Sequence, residues 1–341
     1  MDYPSGQDEG SMTRCSVITD PLLYRHNLPG HPECHARLEA VLSAIPADLS
    51  VSSATPASRE DVERIHDPHY LRWLEQQCAV TTSVNYMDHE TYVNPRSYDI
   101  ALHAAGAAVA ASERALDGEH CFSLMRPPGH HAECDRAMGF CLLNNAAIAA
   151  MHALESVDRV AIIDWDVHHG NGTQHAFYPS DRVLYCSVHQ KGLFPPYSGN
   201  LEETGTGAGL GYTINAPLAA GSTMGDYQQI FSEIFSPALR RYRPDLVIVS
   251  AGQDILSDDP LGGMQVQPKD FEVLTRLIQD AADGSLALVL EGGYGPFHGE
   301  AVRYIFSALK REHEIVVPDN LTASPATQAL VLQLKKIHGL S

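Results

Sequence analysis

Basic residues are scarce in this chain. Lys and Arg number 23 against 42 Asp and Glu, a formal net charge of −19. That balance argues against broad nucleic-acid binding, because phosphate contacts need clustered cations. It serves solubility, and it also suits a cationic partner such as a Lys-rich peptide or a polyamine. No run approaches the ~18 apolar residues of a membrane span. The seven cysteines form no C-x-x-C pair, so a cysteine zinc knuckle is not expected. Their odd number, with no apolar leader, fits a reducing cytoplasm. No Ser/Gly tract, Pro-rich run or repeat divides the 341 residues. Residues 13–341 are therefore expected to form one domain, and the polar residues 1–12 an arm or tag outside it.

What is present is an alternation. Apolar runs at Cys121–Met125, Val160–Ile163, Val183–Cys186, Leu246–Ser250 and Leu286–Leu290 read as buried strands. Helical patterns separate them: an Ala-rich helix opened by Asn94-Pro95, then Asn144–Leu154, Asp226–Tyr242, Pro268–Asp283 and Phe297–Arg311. Earlier, Val17–Thr19 reads as an opening strand, and Pro32 suits the first position of a helix through Arg37, Leu38, Val41, Leu42 and Ile45. The tail, Ala326–Ile337, has helical spacing. Strands alternating with helices build a parallel sheet, whose sites lie beyond the carboxyl ends of its strands. Five polar clusters follow the runs: Arg126–His131, Asp164–His169, Ser187–His189, Ala251–Asp254 and Gly292–Tyr294. All are expected on one edge.

The residue types suggest the chemistry. Asp166 and His168 are two apart, so an extended segment points both the same way. Asp254 can add a third ligand. Two carboxylates and one imidazole leave a tetrahedral zinc ion one open position for water. Ligand type constrains the metal only loosely, so ferrous iron or cobalt stays open. The tandem His130 and His131 are candidate proton handlers, oriented by Asp164 and Asn171. Tyr294, placed by Gly292-Gly293, is a candidate oxyanion donor. Gly139, Phe140 and Phe194-Pro195 could wall a narrow channel, with the Gly-rich Pro195–Gly211 as a rim loop.

Arg126–His131, Gly139–Cys141, Asp164–Gly172, Asp259–Met264 and Glu291–Tyr294, in this order, resemble the zinc-dependent histone deacetylase family, which includes bacterial amidohydrolases and acetylpolyamine amidohydrolases. The resemblance runs from about Val17 to Leu309. It implies an arginase-like α/β fold: a three-layer α/β/α arrangement around a mostly parallel eight-stranded sheet. It implies zinc on Asp166, His168 and Asp254. His131 would be general base and then general acid, with His130 an electrostatic partner paired with Asp164. Asn171 stands where some members have Asp, and Asn at this position resembles the class II members. Tyr294 would polarise the acyl carbonyl, and Gly139, Phe140 and Phe194 would form the acyl-lysine tunnel. A structural potassium ion would use Asp164, Asp166, His168, Ser187 and Val188, and a second one Phe177, Ser180, Val183 and Tyr212.

The implied reaction is hydrolysis of Nε-acyl-lysine in proteins or peptides, releasing acetate and free lysine. The alternative is a small-molecule amidohydrolase acting on acetylpolyamines. Leu261 stands where polyamine-specific relatives carry a carboxylate, which favours lysine. Glu90, with Asp88, is placed at the rim, where relatives hold the substrate backbone. Gln253 replaces a hydrophobic residue before the third zinc ligand, and Ile255 and Leu256 replace smaller ones. These changes are expected to alter the surroundings of the metal or the exit channel. A silent acyl-lysine-binding module would have lost a ligand, a site histidine or Tyr294, and none is lost. The partners expected are an acylated protein, peptide or amine, with no nucleic acid and no membrane; a homo-oligomer is left open.

Overall fold

A computed structural model describes residues 14–314 and 321–341. The arm expected over residues 1–12 lies outside the described residues. The strands are β1 (Cys15–Ile18), β2 (Ser50–Ser52), β3 (Asn85–Tyr86), β4 (Tyr92–Val93), β5 (His120–Ser123), β6 (Val160–Asp164), β7 (Val183–Gln190), β8 (Thr213–Leu218), β9 (Leu246–Ala251) and β10 (Leu286–Leu290). Eight make one sheet in the order β2-β1-β5-β10-β9-β6-β7-β8, and every neighbouring pair is parallel. β3 and β4 form a separate antiparallel pair. Strands β5, β6, β9 and β10 are buried along their whole length. Continuous apolar runs of this kind are what a sheet covered on both faces requires.

Helices cover the sheet. The Ala-rich helix Ser97–Leu116 packs on Asn145–Ala153 and across β5 and β10. Its Gly106 is required by contact: a Cβ there would stand 2.6 Å from the Ala57 nitrogen and closer to the Thr55 carbonyl. The tail helix, Pro325–His338, packs on β8 and on Met224–Ile230. Among the described residues, no helix is long and apolar enough to cross a membrane.

Several boundaries differ from expectation. The helix expected from Pro32 begins at Ala36, after a turn that sends the Glu33 side chain inward. The Asn94-Pro95 helix begins at Ser97, because the Asn94 side chain takes the Arg96 N–H in a local turn. Asp226–Tyr242 is not one regular helix: a five-residue π segment, Phe231–Phe235, interrupts it. Pro268–Asp283 shortens to Asp270–Gln279. The third site strand does not stop at Cys186. Its ladder with β8 runs on to Gln190, paired with Leu218.

Candidate functional site

Four strands that are neighbours in the sheet, β5, β10, β9 and β6, deliver four of the five polar clusters to one edge. The fifth stands level with Asp164 in the sheet register, but inside its strand rather than past it. Ser187 and His189 lie inside β7, buried, with the Ser187 hydroxyl 2.9 Å from His189 Nδ1. His189 Nε2 reaches the Gly199 carbonyl at 3.0 Å, and His169 Nδ1 reaches the Ser198 hydroxyl at 2.6 Å. Both rings therefore hold the Pro195–Gly211 segment at Ser198 and Gly199.

At the centre, His168 Nδ1 lies 3.0 Å from Asp166 Oδ1 and 3.1 Å from Asp254 Oδ2. Ligand atoms of all three residues fall within 4.8 Å of one another. Backbone amides hold the carboxylates from outside: Gly292 N–H to Asp166 Oδ2 at 2.8 Å, and Val167 N–H to Asp254 Oδ1 at 2.8 Å. Gly252 and Gly292 are required here, since a Cβ on either would overlap an Asp166 or Asp254 oxygen. Burial drives His168 down, but the hydrogen bonds of the two carboxylates outweigh it and raise it to about 10. Burial and the Asp166 charge push Asp254 up to about 8. Two buried carboxylates this close call for positive charge, and a divalent cation on two carboxylates and an imidazole fits that demand.

The tandem histidines follow β5. His130 Nδ1 stands 3.1 Å from Asp164 Oδ2, and His131 Nδ1 stands 2.8 Å from Asn171 Oδ1. Both orienting partners are those expected from the sequence. Their electrostatics diverge. Burial lowers His130, but the Asp166 and Asp164 charges outweigh it and hold it well above the usual range. Burial, then the His130 and His168 charges, hold His131 well below it. The backbone N–H groups of Gly129 and His130 both donate to Glu291, at 2.7 and 3.2 Å.

A cavity of about 130 Å³ leads to this centre, lined by His130, His131, Gly139, Phe140, Phe194 and Tyr294, with Glu90 and Leu261 also on its wall. Gly139 has φ +56, and a Cβ on it would strike the His131 ring and come within 2.8 Å of Phe194 Cε1. The Phe194 ring meets His131 edge-on at 5.0 Å, and Phe140 meets Tyr294 at 5.8 Å. Tyr294 is set by its backbone: Gly293 takes φ +125, and the N–H groups of Tyr294 and Gly295 both donate to Asp259 Oδ2. Asp88 spends its carboxylate on the Glu90 and Thr91 N–H groups and shapes the loop.

Gln253 donates its backbone N–H to the Gly292 carbonyl at 2.9 Å. It is fully buried but turned from the centre, with Oε1 2.6 Å from His298 Nε2 and Nε2 2.6 Å from the Ala251 carbonyl. A polar residue is tolerated because both ends of its amide are partnered. Among the residues named for potassium, Asp164 also accepts the Tyr185 hydroxyl at 3.1 Å, and the Ser180 N–H bonds the Phe177 carbonyl at 2.9 Å. Val183 opens β7 and pairs with Val160, Val188 pairs with Ala216, and the Tyr212 carbonyl takes the Tyr185 N–H.

Sequence reasoning assigned no role to the charged frame beneath the site. Arg126 is fully buried and bonds Glu33 at 2.9 Å; Glu33 also bonds Arg37, whose guanidinium lies 5.0 Å from the Tyr294 ring centre. The signal available was the Glu of His31-Pro32-Glu33-Cys34 and an Arg preceding two prolines. Neither spacing says that the two meet.

Comparison with known proteins agrees with the geometry. Residues 31–309 match the histone deacetylase domain family. A histone deacetylase-like amidohydrolase of Pseudomonas aeruginosa is 42% identical over 285 residues, 80% of this chain and 74% of the relative. A probable deacetylase of Methanothermobacter thermautotrophicus is 40% identical over 287 residues, 82% and 86% of the two chains. The crystal structure of the HDA15 HD domain superposes with a TM-score of 0.89 at 31% identity, covering 96% of this chain and 95% of that one. The chain therefore belongs to the histone deacetylase family, a family of deacetylases and amidohydrolases, and carries that family's arginase-like α/β fold.

Proposed function

We propose that this protein is a zinc-dependent deacylase of Nε-acyl-lysine in proteins or peptides, working from a single domain over residues 13–341. The observation that carries the reading is the narrow cavity. Its volume of about 130 Å³ and its Phe140 and Phe194 walls suit one extended apolar chain with an amide at its tip, and Leu261 offers no charge for a distal ammonium. A zinc ion held by Asp166, His168 and Asp254 would supply a Lewis acid for the amide carbonyl and lower the pKa of the attacking water.

The side chains divide the remaining work. His131, neutral, keeps its proton on Nδ1 against Asn171 and leaves Nε2 free to take the proton from water. His130, held cationic between Asp164 and Asp166, offsets the negative charge that builds as water adds. The Tyr294 hydroxyl donates to the developing oxyanion. Protonated His131 then passes its proton to the leaving amine, so acetate and free lysine result. Potassium on Asp164, Ser187 and Val188, with the Asp166 and His168 backbone, belongs to the same proposal, as does the second ion near Phe177, Ser180, Val183 and Tyr212.

One observation favours the second reading, an amidohydrolase for acetylated polyamines: Glu90 places a carboxylate on the cavity wall. The zinc-loaded protein, offered an acetyl-lysine peptide and N-acetylputrescine, separates the two. Faster peptide cleavage, lost about 100-fold or more in Tyr294→Phe, is expected. Cleavage of the polyamine alone would transfer the assignment to the small amine and to Glu90. Loading with ferrous iron or cobalt in parallel identifies the metal.

A further inference from the structure

We propose that Glu133 is a positioning residue: through the Asn171 amide it decides which nitrogen of His131 carries the proton. The inference rests on His131 being the base assigned above. Glu133 lies two residues beyond His131 in Gly129-His130-His131-Ala132-Glu133, and it is 6% exposed. Its Oε1 accepts the Asn171 Nδ2–H at 2.5 Å. Asn171 Oδ1 in turn faces His131 Nδ1 at 2.8 Å. On its outer side Glu133 accepts from His175 Nδ1, at 2.9 and 3.0 Å from its two oxygens, and Arg136 stands 3.9 Å away. The four groups form one file from the half-exposed His175 ring to the His131 ring.

The logic is that of donors and acceptors. An amide can turn over, exchanging its oxygen and nitrogen, and then His131 would have to accept at Nδ1 and carry its proton on Nε2. That tautomer has no lone pair facing the cavity and cannot take a proton from water. A turned amide would also aim Oδ1 at the Glu133 carboxylate from 2.5 Å, oxygen against oxygen. The carboxylate forbids this. The Asn171 amide nitrogen has three acceptors in its observed orientation: Glu133, the His131 carbonyl at 3.3 Å and Met138 Sδ at 3.5 Å. Burial pushes the Glu133 carboxyl up, but hydrogen bonds from His175 and Asn171 outweigh it and hold it ionised. This also explains why an amide serves at position 171. An aspartate there would put two carboxylates in contact inside the protein, and one of them would have to take up a proton.

The test uses four variants of the zinc-loaded full chain, Glu133→Ala, Glu133→Gln, Asn171→Asp and Asn171→Asp/Glu133→Gln, with His131→Ala as reference. The first readout is the His131 tautomer, taken from long-range ¹H–¹⁵N correlations, which needs no turnover. The wild type is expected as Nδ1–H, Glu133→Ala shifted toward Nε2–H, and Glu133→Gln shifted less, since its amide can either accept from Asn171 or donate to a turned Oδ1. The second readout is kcat and KM on an acetyl-lysine peptide. Glu133→Ala should lose about 10- to 100-fold in kcat at constant KM, as removal of an outer hydrogen-bond partner typically does. Glu133→Gln, which keeps an acceptor oxygen but also offers donors, should recover part of it. The double variant should exceed Asn171→Asp, because removing the Glu133 charge lets the new carboxyl group at position 171 ionise and face His131 directly. An unchanged tautomer in Glu133→Ala overturns the proposal, and so does a double variant no better than Asn171→Asp. If His131→Ala retains turnover while the tautomer responds as expected, the assignment of the base fails and the positioning role stands.

Discussion

Gly292→Ala offers a test of the proposed metal centre that keeps every proposed ligand. Gly292 does not occupy the left-handed region, so its backbone admits alanine without strain. The whole effect is steric. An added Cβ would stand 2.6 Å from Asp166 Oδ2 and closer still to Asp254 Oδ2, where real Cβ contacts essentially never fall below 3.0 Å. Asp254 would have to retreat by about 1 Å, and a displacement of that size at a reacting centre costs about 100-fold in rate. One hundred-fold corresponds to about 2.7 kcal/mol. The carboxylates are pinned by the Val167 and Gly292 N–H groups, so they cannot move without also losing those bonds. Zinc affinity, measured by competition with a chelator, should fall by about 10-fold or more, with kcat/KM falling alongside. Gly284→Ala is the control: nothing lies within 4 Å of its Cβ and its φ is not positive. It should leave zinc affinity unchanged and stability equal or slightly raised. Wild-type zinc affinity and turnover in Gly292→Ala would refute the assignment of Asp166 and Asp254 as a compressed ligand pair.

Acid should destabilise the fold through two histidines away from the centre. Burial holds His66 and His120 near 4; His66 Nε2 accepts the Asn144 N–H and His120 Nδ1 the Leu286 N–H, so each must stay neutral. The unfolded chain takes up these protons near pH ~6.5. Stability is therefore full above about pH 6.5 and falls as pH drops toward 4, by up to roughly 3 kcal/mol per histidine. Denaturant midpoints across that window check it, and a flat profile would count against both tautomers. Glu33→Gln should cost about 3–5 kcal/mol, since Arg126 and Arg37 would stay buried beside a neutral partner. Equilibrium unfolding measures that loss, and a cost under about 1 kcal/mol would mean that the backbone carbonyls alone satisfy the two guanidiniums. Gly139→Ala should lower kcat/KM by about 100-fold, because its Cβ would displace the His131 ring. Steady-state kinetics with circular dichroism would separate that from unfolding.

Much of the fold was legible because parallel strands buried on both faces are written as unbroken apolar runs. Val160–Ile163, Leu246–Ser250 and Leu286–Leu290 each fall within one residue of an observed strand. The cluster of Asp166, His168 and Asp254 was legible for a similar reason, since all three stand just past such runs. The errors have physical sources. β7 runs on to Gln190 because β8 pairs with it there, and no local propensity encodes that partner. The Gln253 side chain bonds His298, and no local pattern encodes that partner either.

By itself the sequence determined the alternation of strand and helix, the residue types of the site and their order. Those properties are carried by local periodicity and by side-chain chemistry. Tertiary structure decided which strands are neighbours, and so which clusters meet: β10 and β9 slot between β5 and β6 and bring His130, Tyr294, Asp254 and Asp166 together. It also decided the inequality of the two adjacent histidines, since burial outweighs all else at His131, beside the His130 and His168 charges, while the Asp166 and Asp164 charges outweigh burial at His130. Distances between residues remote in the chain set these effects, and such distances exist only once the sheet has closed its order.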